Sequence, residues 1–271
     1  PRRAVAPDAL ADELWTALAG GEVSVALQPI VALGTLPRHD RVTAFEVLAR
    51  WTRADGTSVP PSRFVPAARR SGLADLLGAT VLAQGLDALR ALRATHPDAG
   101  LSVNLAPEQL SGPGVADTIL HALQGAGMEP SALTVEVPAA TAFEDAEAGR
   151  AVLGALRDAG VGVVLDNFGA AGLSIAALRE LPLTGVKLDR SLTADLGVDD
   201  RLVVATVRLT TRLGLACTAV GVETRTQLDA ARSLGIDAVQ GHLLGRPETA
   251  LTQPAVTPEG VAPGMASRAA G

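Results

Sequence analysis

Val161-Gly162-Val163-Val164-Leu165-Asp166 is a short apolar run, rich in β-branched residues, that ends on a carboxylate. Branched side chains suit a strand, and an unbroken apolar run suits a strand covered on both faces, as in a parallel sheet. The pattern recurs along the chain. Strands are expected at 23–32, 43–51, 101–105, 133–137, 161–165, 185–188, 216–222 and 238–240. Helical patterns fall between most of them, at 74–94, 114–124, 145–159, 173–181, 199–213 and 226–234. Eight strands alternating with helices predict an α/β fold, a modified (β/α)8 barrel of the TIM type. Residues 34–40, between the first two strands, contain Gly and Pro and no helical pattern. That link reads as a hairpin, which sets one strand antiparallel to the rest.

Composition narrows the class. The chain has 271 residues, 48% apolar and 19% charged, enough to bury a full core and too apolar for global disorder. No apolar run approaches the roughly 18 residues of a membrane span, and no charged-then-apolar leader opens the sequence. A net charge of −6 with only four Phe and two Trp argues against a basic, ring-stacking nucleic-acid surface. Cys217 is the single cysteine, which excludes an internal disulfide and a cysteine zinc site and points to a reducing cytoplasm. Residues 1–20 read as a weakly patterned lead-in and 21–248 as the barrel. Residues 249–271, rich in Pro, Ala, Gly and Thr, read as a disordered tail.

Six of the expected strands end on a polar side chain: Glu46, Asn104, Glu136, Asp166, Lys187 and Gln240. In a barrel of this kind the carboxyl ends of the strands form the functional face, so these groups should converge there. Three carboxylates brought together repel unless cations or protons compensate. Glu46, Asn104, Glu136 and Asp166 offer the oxygen donors that a hard divalent ion, Mg2+ or Mn2+, takes. Lys187 is the only lysine among 23 basic residues. An arginine bias explains the other basic residues but not this one, and an ammonium is a compact charge that a guanidinium cannot imitate. Lys187 reads either as a group that holds an anionic oxygen or as half of a buried ion pair with one of the carboxylates. His242, in a Gln-Gly-His turn, reads as a packed residue.

Segments from Ala26 to Pro247 resemble the EAL domain, the cyclic di-GMP phosphodiesterase module named for a Glu-Ala-Leu motif. Leu27-Gln28-Pro29-Ile30 is similar to the family's Gln-Pro-Ile opening. Phe45-Glu46-Val47-Leu48-Ala49-Arg50 is similar to its signature, with Val47 where Ala is usual. Pro60-Pro61-Ser62-Arg63-Phe64-Val65-Pro66, Val103-Asn104-Leu105 and Lys187-Leu188-Asp189-Arg190-Ser191 resemble later family motifs. So do Gly221-Val222-Glu223-Thr224 and Gln240-Gly241-His242-Leu243-Leu244-Gly245-Arg246-Pro247.

The resemblance implies a barrel with one antiparallel strand and hydrolysis of cyclic di-GMP by two divalent cations. Carried over by position, the metal shell would include Glu46, Asn104, Glu136 and Asp166, with Glu46 and Lys187 serving catalysis. Gln28, Leu48, Arg50, Asp189, Glu223 and Gln240 match ligand-facing positions, and Gln240 also supports the metal shell. A homodimer and a protein partner are further implications.

Two departures weaken the match. The family's adjacent aspartates read Asp166-Asn167 here, and its Glu-Gly-Val-Glu reads Val220-Gly221-Val222-Glu223. An amide offers one neutral oxygen where a carboxylate bridges two cations with charged ones. Asn167 and Val220 together remove two negative charges from a two-metal site, which depends on that charge. The loop 167–172 has its second glycine one place late, and Pro138-Ala139 replaces a Thr-Glu. The expectation is a degenerate member that binds cyclic di-GMP or a partner with little or no hydrolysis, and with weak or partial metal occupancy. Slow metal-dependent hydrolysis and a ligand-free interaction module are the alternatives.

Overall fold

A computed structural model of the chain describes residues 9–36, 39–110, 112, 114–139, 146–169 and 175–249. The chain opens with α1 (Ala9–Gly20), β1 (Val23–Ala32), β2 (Arg41–Thr52) and a two-residue β3 (Ser58–Val59). Next come α2 (Pro61–Ser71), α3 (Ala74–Leu92), β4 (Gly100–Asn104), α4 (Pro107–Leu110) and α5 (Val115–Gly125). The middle holds β5 (Leu133–Pro138), α6 (Ala146–Asp158), β6 (Gly162–Phe168) and α7 (Ile175–Glu180). Last are β7 (Gly185–Leu188), α8 (Arg190–Ala194), α9 (Arg201–Arg212), β8 (Ala216–Val220), α10 (Arg225–Ser233) and β9 (Ala238–Gln240).

The strands close into a ring in the order β1-β9-β8-β7-β6-β5-β4-β2, with β2 returning to β1 and β3 added at the outer side of β2. β1 is antiparallel to both its neighbours, whereas the remaining ring pairings are parallel. A link as short as residues 33–40 can only join antiparallel strands, so the missing helix there dictates the reversed strand. This is the modified α/β barrel expected from the strand pattern. The hairpin is pinned from outside. Arg232 on α10 donates to both oxygens of Asp40 at 2.9 and 2.6 Å and to the Gly34 carbonyl at 2.6 Å.

Two elements depart from the sequence reading. The weakly patterned lead-in carries α1, which buries Leu14 and Ala17 against a satellite core of Val23, Trp51, Phe64 and Ala68. Proline-rich 60–66 carries the start of α2, because Pro61 stands in the first turn, where its missing N–H has no helical partner to lose. Trp51 and Phe64 meet edge to face there, 5.8 Å apart. The main core fills the ring and its helical coat, with Leu27, Phe45, Leu101, Val135, Leu165, Leu188, Ala219 and Val239 nearly or fully buried. Burying each large side chain contributes roughly 1.5–3 kcal/mol. Among the described residues no helix is long and apolar enough to cross a membrane. The expected tail, apart from Thr249, and residues 170–172 of the loop 167–172 lie outside the described residues.

Candidate functional site

The polar residues converge, but they do not all end their strands. Asn104 and Gln240 are the last residues of β4 and β9, whereas Glu136 and Asp166 each lie two residues before their strand's end. Glu46 sits in the middle of β2, because β2 runs on past the ring to pair with the start of β1 and with β3. In register it faces Gln28 on β1 and Ser102 on β4, while Asn104 faces Glu136. Asp166 and Asn167 stand in an irregular stretch where the pairing of β6 with β7 shifts between Leu165 and Phe168. Asn167 takes φ 55°, the sole positive φ outside glycine among the described residues. Asparagine tolerates this left-handed conformation better than most residues. Its Nδ2 donates to Asp166 Oδ2 at 2.7 Å.

A closed network links these groups. Lys187 Nζ donates to Glu46 Oε2 at 2.8 Å and also pairs with Glu136 Oε1. The ion-pair reading of Lys187 thus extends to two carboxylates rather than one. Gln240 Nε2 donates to Glu46 Oε2 at 2.8 Å and to Gln28 Oε1 at 3.1 Å. Gln28 Nε2 in turn donates to the Gly245 carbonyl at 3.0 Å. Asn104 Nδ2 donates to Glu46 Oε1 at 2.9 Å. Both oxygens of Glu46 are therefore held by N–H groups. Ser102, one strand period before Asn104, donates its hydroxyl to Glu136 Oε1.

Electrostatics follow from this packing. Burial alone would push Glu46 up, but the Lys187 charge and the hydrogen bonds of Lys187, Gln240 and Asn104 hold it below the usual carboxylate range. Glu136, fully buried, is pushed up to about 7 by desolvation and by the charges of Glu46 and Asp166, with Lys187 opposing. Burial also raises Asp166, again against the Lys187 charge. Burial would lower Lys187, yet Glu136 and Glu46 together hold it above the ordinary lysine value, so the ammonium stays charged.

A cavity of about 230 Å³ opens over this network, lined among others by Gln28, Glu46, Leu48, Asp166, Glu223 and Gln240. Asn167 and Val220, the departing positions, line the same cavity. Asp189 and Arg50 are not among its lining residues. Asp189 caps α8, accepting from the Ser191 amide at 2.9 Å and the Ser191 hydroxyl at 2.6 Å. Arg50 donates to the Ala49 carbonyl at 2.8 Å. His242 is exposed and lines the cavity, which corrects its reading as a packed residue. The turn itself is crowded at Gly241, where a Cβ would stand 2.0 Å from the Val222 carbonyl oxygen.

Sequence reasoning missed two functional candidates. Ser102 was available from strand alternation with Asn104. Arg190 lines the cavity and pairs with Glu223 at 2.7 Å. Only the adjacency of β7 and β8 reveals it.

The donor chemistry is of the kind a hard divalent ion takes. Glu46, Asn104, Glu136 and Asp166 provide oxygen donors, and Glu136 Oε2 and Gln240 Oε1 are buried oxygens without a hydrogen-bond partner. Against this, no three His, Cys, Asp or Glu side chains among the described residues stand together as a metal-binding group. Asn167 and Val220, which line the same cavity, carry no carboxylate.

The EAL domain family model matches residues 11–247. MucR of Pseudomonas aeruginosa, a bifunctional diguanylate cyclase and cyclic di-GMP phosphodiesterase, is 36% identical over 206 residues, 74% of this chain. The chain spans 30% of that relative's length. A solved PaMucR phosphodiesterase in complex with c-di-GMP superposes with a TM-score of 0.81 at 34% identity, covering 89% of this chain and 98% of that one. BlrP1 of Klebsiella pneumoniae, solved as a calcium and cy-diGMP complex, gives 0.73 at 28% identity, over 90% of this chain and 58% of that one. A family model that spans nearly all the described residues, on a ring with this reversed strand, places the chain in the EAL-domain family.

Proposed function

We propose that this domain binds cyclic di-GMP and hydrolyses it slowly or not at all, acting as a receptor module in cyclic di-GMP signalling. The observation that carries the reading is the state of the carboxylates. Glu46 and Glu136 already share the single charge of Lys187, Asp166 is capped by the Asn167 amide, and Val220 adds no oxygen. One ion, held by Glu46, Asn104, Glu136 and Asp166, would supply positive charge to a phosphate oxygen or a water. Placing it requires the Asn104 amide to turn and Lys187 to yield part of its hold on Glu46. Gln28 and Leu48 line the cavity where the nucleotide would lie, and Gln240 fixes Gln28 and Glu46 together. With the second cation unsupported, neither the attacking water nor the leaving oxygen is fully stabilised. Each 1.36 kcal/mol of lost stabilisation costs tenfold in rate, so several decades are lost.

Calorimetric titration with cyclic di-GMP at fixed Mg2+ tests binding, and an overnight incubation in Mn2+ tests turnover. Saturable binding with no linear dinucleotide is the expected result; absence of binding overturns it. Slow hydrolysis is the second reading, favoured by the retention of four oxygen-bearing side chains and the two unpartnered oxygens. Linear product in Mn2+ would select it.

A further inference from the structure

The cavity contains one lysine and one arginine that face it differently. Lys187 is 4% exposed and spends its charge on two carboxylates. Arg190 is 66% exposed and holds a single partner, Glu223, itself half exposed. An ion pair this open contributes little, and an incoming anion can compete for it. The arginine is nonetheless placed with care. Its backbone begins α8, and the cap formed by Asp189 on Ser191 fixes the turn. Its side chain lies down across Gly221, where a Cβ would stand 2.8 Å from Nε and 3.0 Å from Cγ. Gly221 has φ +81°. A side chain there would be strained and would also push the guanidinium away. The neighbouring position is Val220, so no carboxylate at the end of β8 draws Arg190 off or recruits a cation beside it. The guanidinium uses Nη2 on Glu223 and keeps further N–H donors in a planar fork suited to two phosphate oxygens.

We infer that Arg190 contacts a phosphate of the bound cyclic dinucleotide and makes binding independent of divalent metal. This rests on the reading of the domain as a cyclic di-GMP receptor and adds the group that takes the place of a cation. The test is calorimetric titration of cyclic di-GMP in EDTA, with wild type, R190Q and R190K. Arg190 is largely exposed, so both variants should fold, which melting curves verify. Wild type should bind in EDTA, R190Q should lose roughly tenfold or more in affinity, and R190K should fall between them. Added salt should weaken the wild-type complex more than the R190Q complex. Equal affinity of R190Q and wild type in EDTA overturns the inference. So does wild-type binding that appears only with Mg2+, and in both cases the receptor reading stands. No binding in either buffer removes both.

Discussion

Lys187 Nζ stands 2.8 Å from Glu46 Oε2 while also pairing with Glu136, so one ammonium bridges strands β2 and β5 across the ring. The protein's single lysine is the internal counter-charge of its carboxylates, and much else in the site depends on it.

Removing that charge should destabilise the fold. Lys187→Ala leaves Glu136, fully buried, and Glu46 without their cation, and uncompensated buried charges cost about 3–5 kcal/mol. Urea unfolding should show a lower midpoint for K187A. A K187M/E136Q double variant should recover part of the loss, because a neutral amide can still accept from Ser102. An unchanged midpoint for K187A would refute the counter-charge role.

Carboxylates placed at positions 167 and 220 should have opposite effects with and without metal. In Asn167→Asp with Val220→Glu, the added charges repel Asp166 and Glu223, so the metal-free protein should melt earlier. Added Mg2+ or Mn2+ should raise the melting point of the double variant more than that of wild type. Linear dinucleotide should appear at least tenfold faster. Inert chemistry despite a metal-induced thermal shift would place the defect elsewhere, beyond the shell.

The Arg232–Asp40 clamp gives a prediction remote from the cavity. Both side chains are mostly buried, at 17% and 12% exposure, and the arginine also satisfies the Gly34 carbonyl. Arg232→Ala should cost about 2–4 kcal/mol by leaving Asp40 with only the Gly34 amide as partner and that carbonyl without the guanidinium. Arg232→Lys should restore only part, since a point charge cannot bond both oxygens and the carbonyl. Chemical denaturation measures both.

Cys217 supplies a pH dependence. Burial, followed by the Asp237 charge, pushes its thiol up to about 12, while a hydrogen bond with Thr210 opposes. Thiol reagents at pH 8 should label the folded protein far more slowly than the urea-unfolded chain. The sign for stability follows from the raised folded value. The contribution is complete below about pH 9, the ordinary thiol value, and is lost as pH climbs from there toward about 12. Cys217→Ala should flatten that alkaline decline, as read from melting points between pH 8 and 10.

The fold was legible because its strands carry their own signal. Runs such as 185–188 and 238–240 coincide with β7 and β9 to the residue. What escaped was set by neighbours in space. β6 extends past Asp166 to Phe168 through an irregular pairing, and a sequence window cannot see a register shift. α1 hid behind a weak apolar pattern, because only Leu14 and two alanines of the helix are buried. In the site, the network of Glu46, Glu136, Lys187 and Gln240 was readable from strand-borne polar residues. Arg190 was not, since its role depends on Gly221 lying beneath it from the next strand. Asp189 reads as a ligand-facing residue, and its side chain is engaged in capping α8.

The ring's seam lies between its first and last strands. β1 and β9 share only the pairs Val31 with Val239 and Ala32 with Ala238, reinforced by a bridge from Leu27 to Glu248. Gln240, one residue beyond that ladder, ties Gln28 to Glu46. Sealing the circle and wiring the pocket therefore both depend on β9. A chain without its ninth strand would have neither a closed wall nor the side chain that joins Gln28 to Glu46.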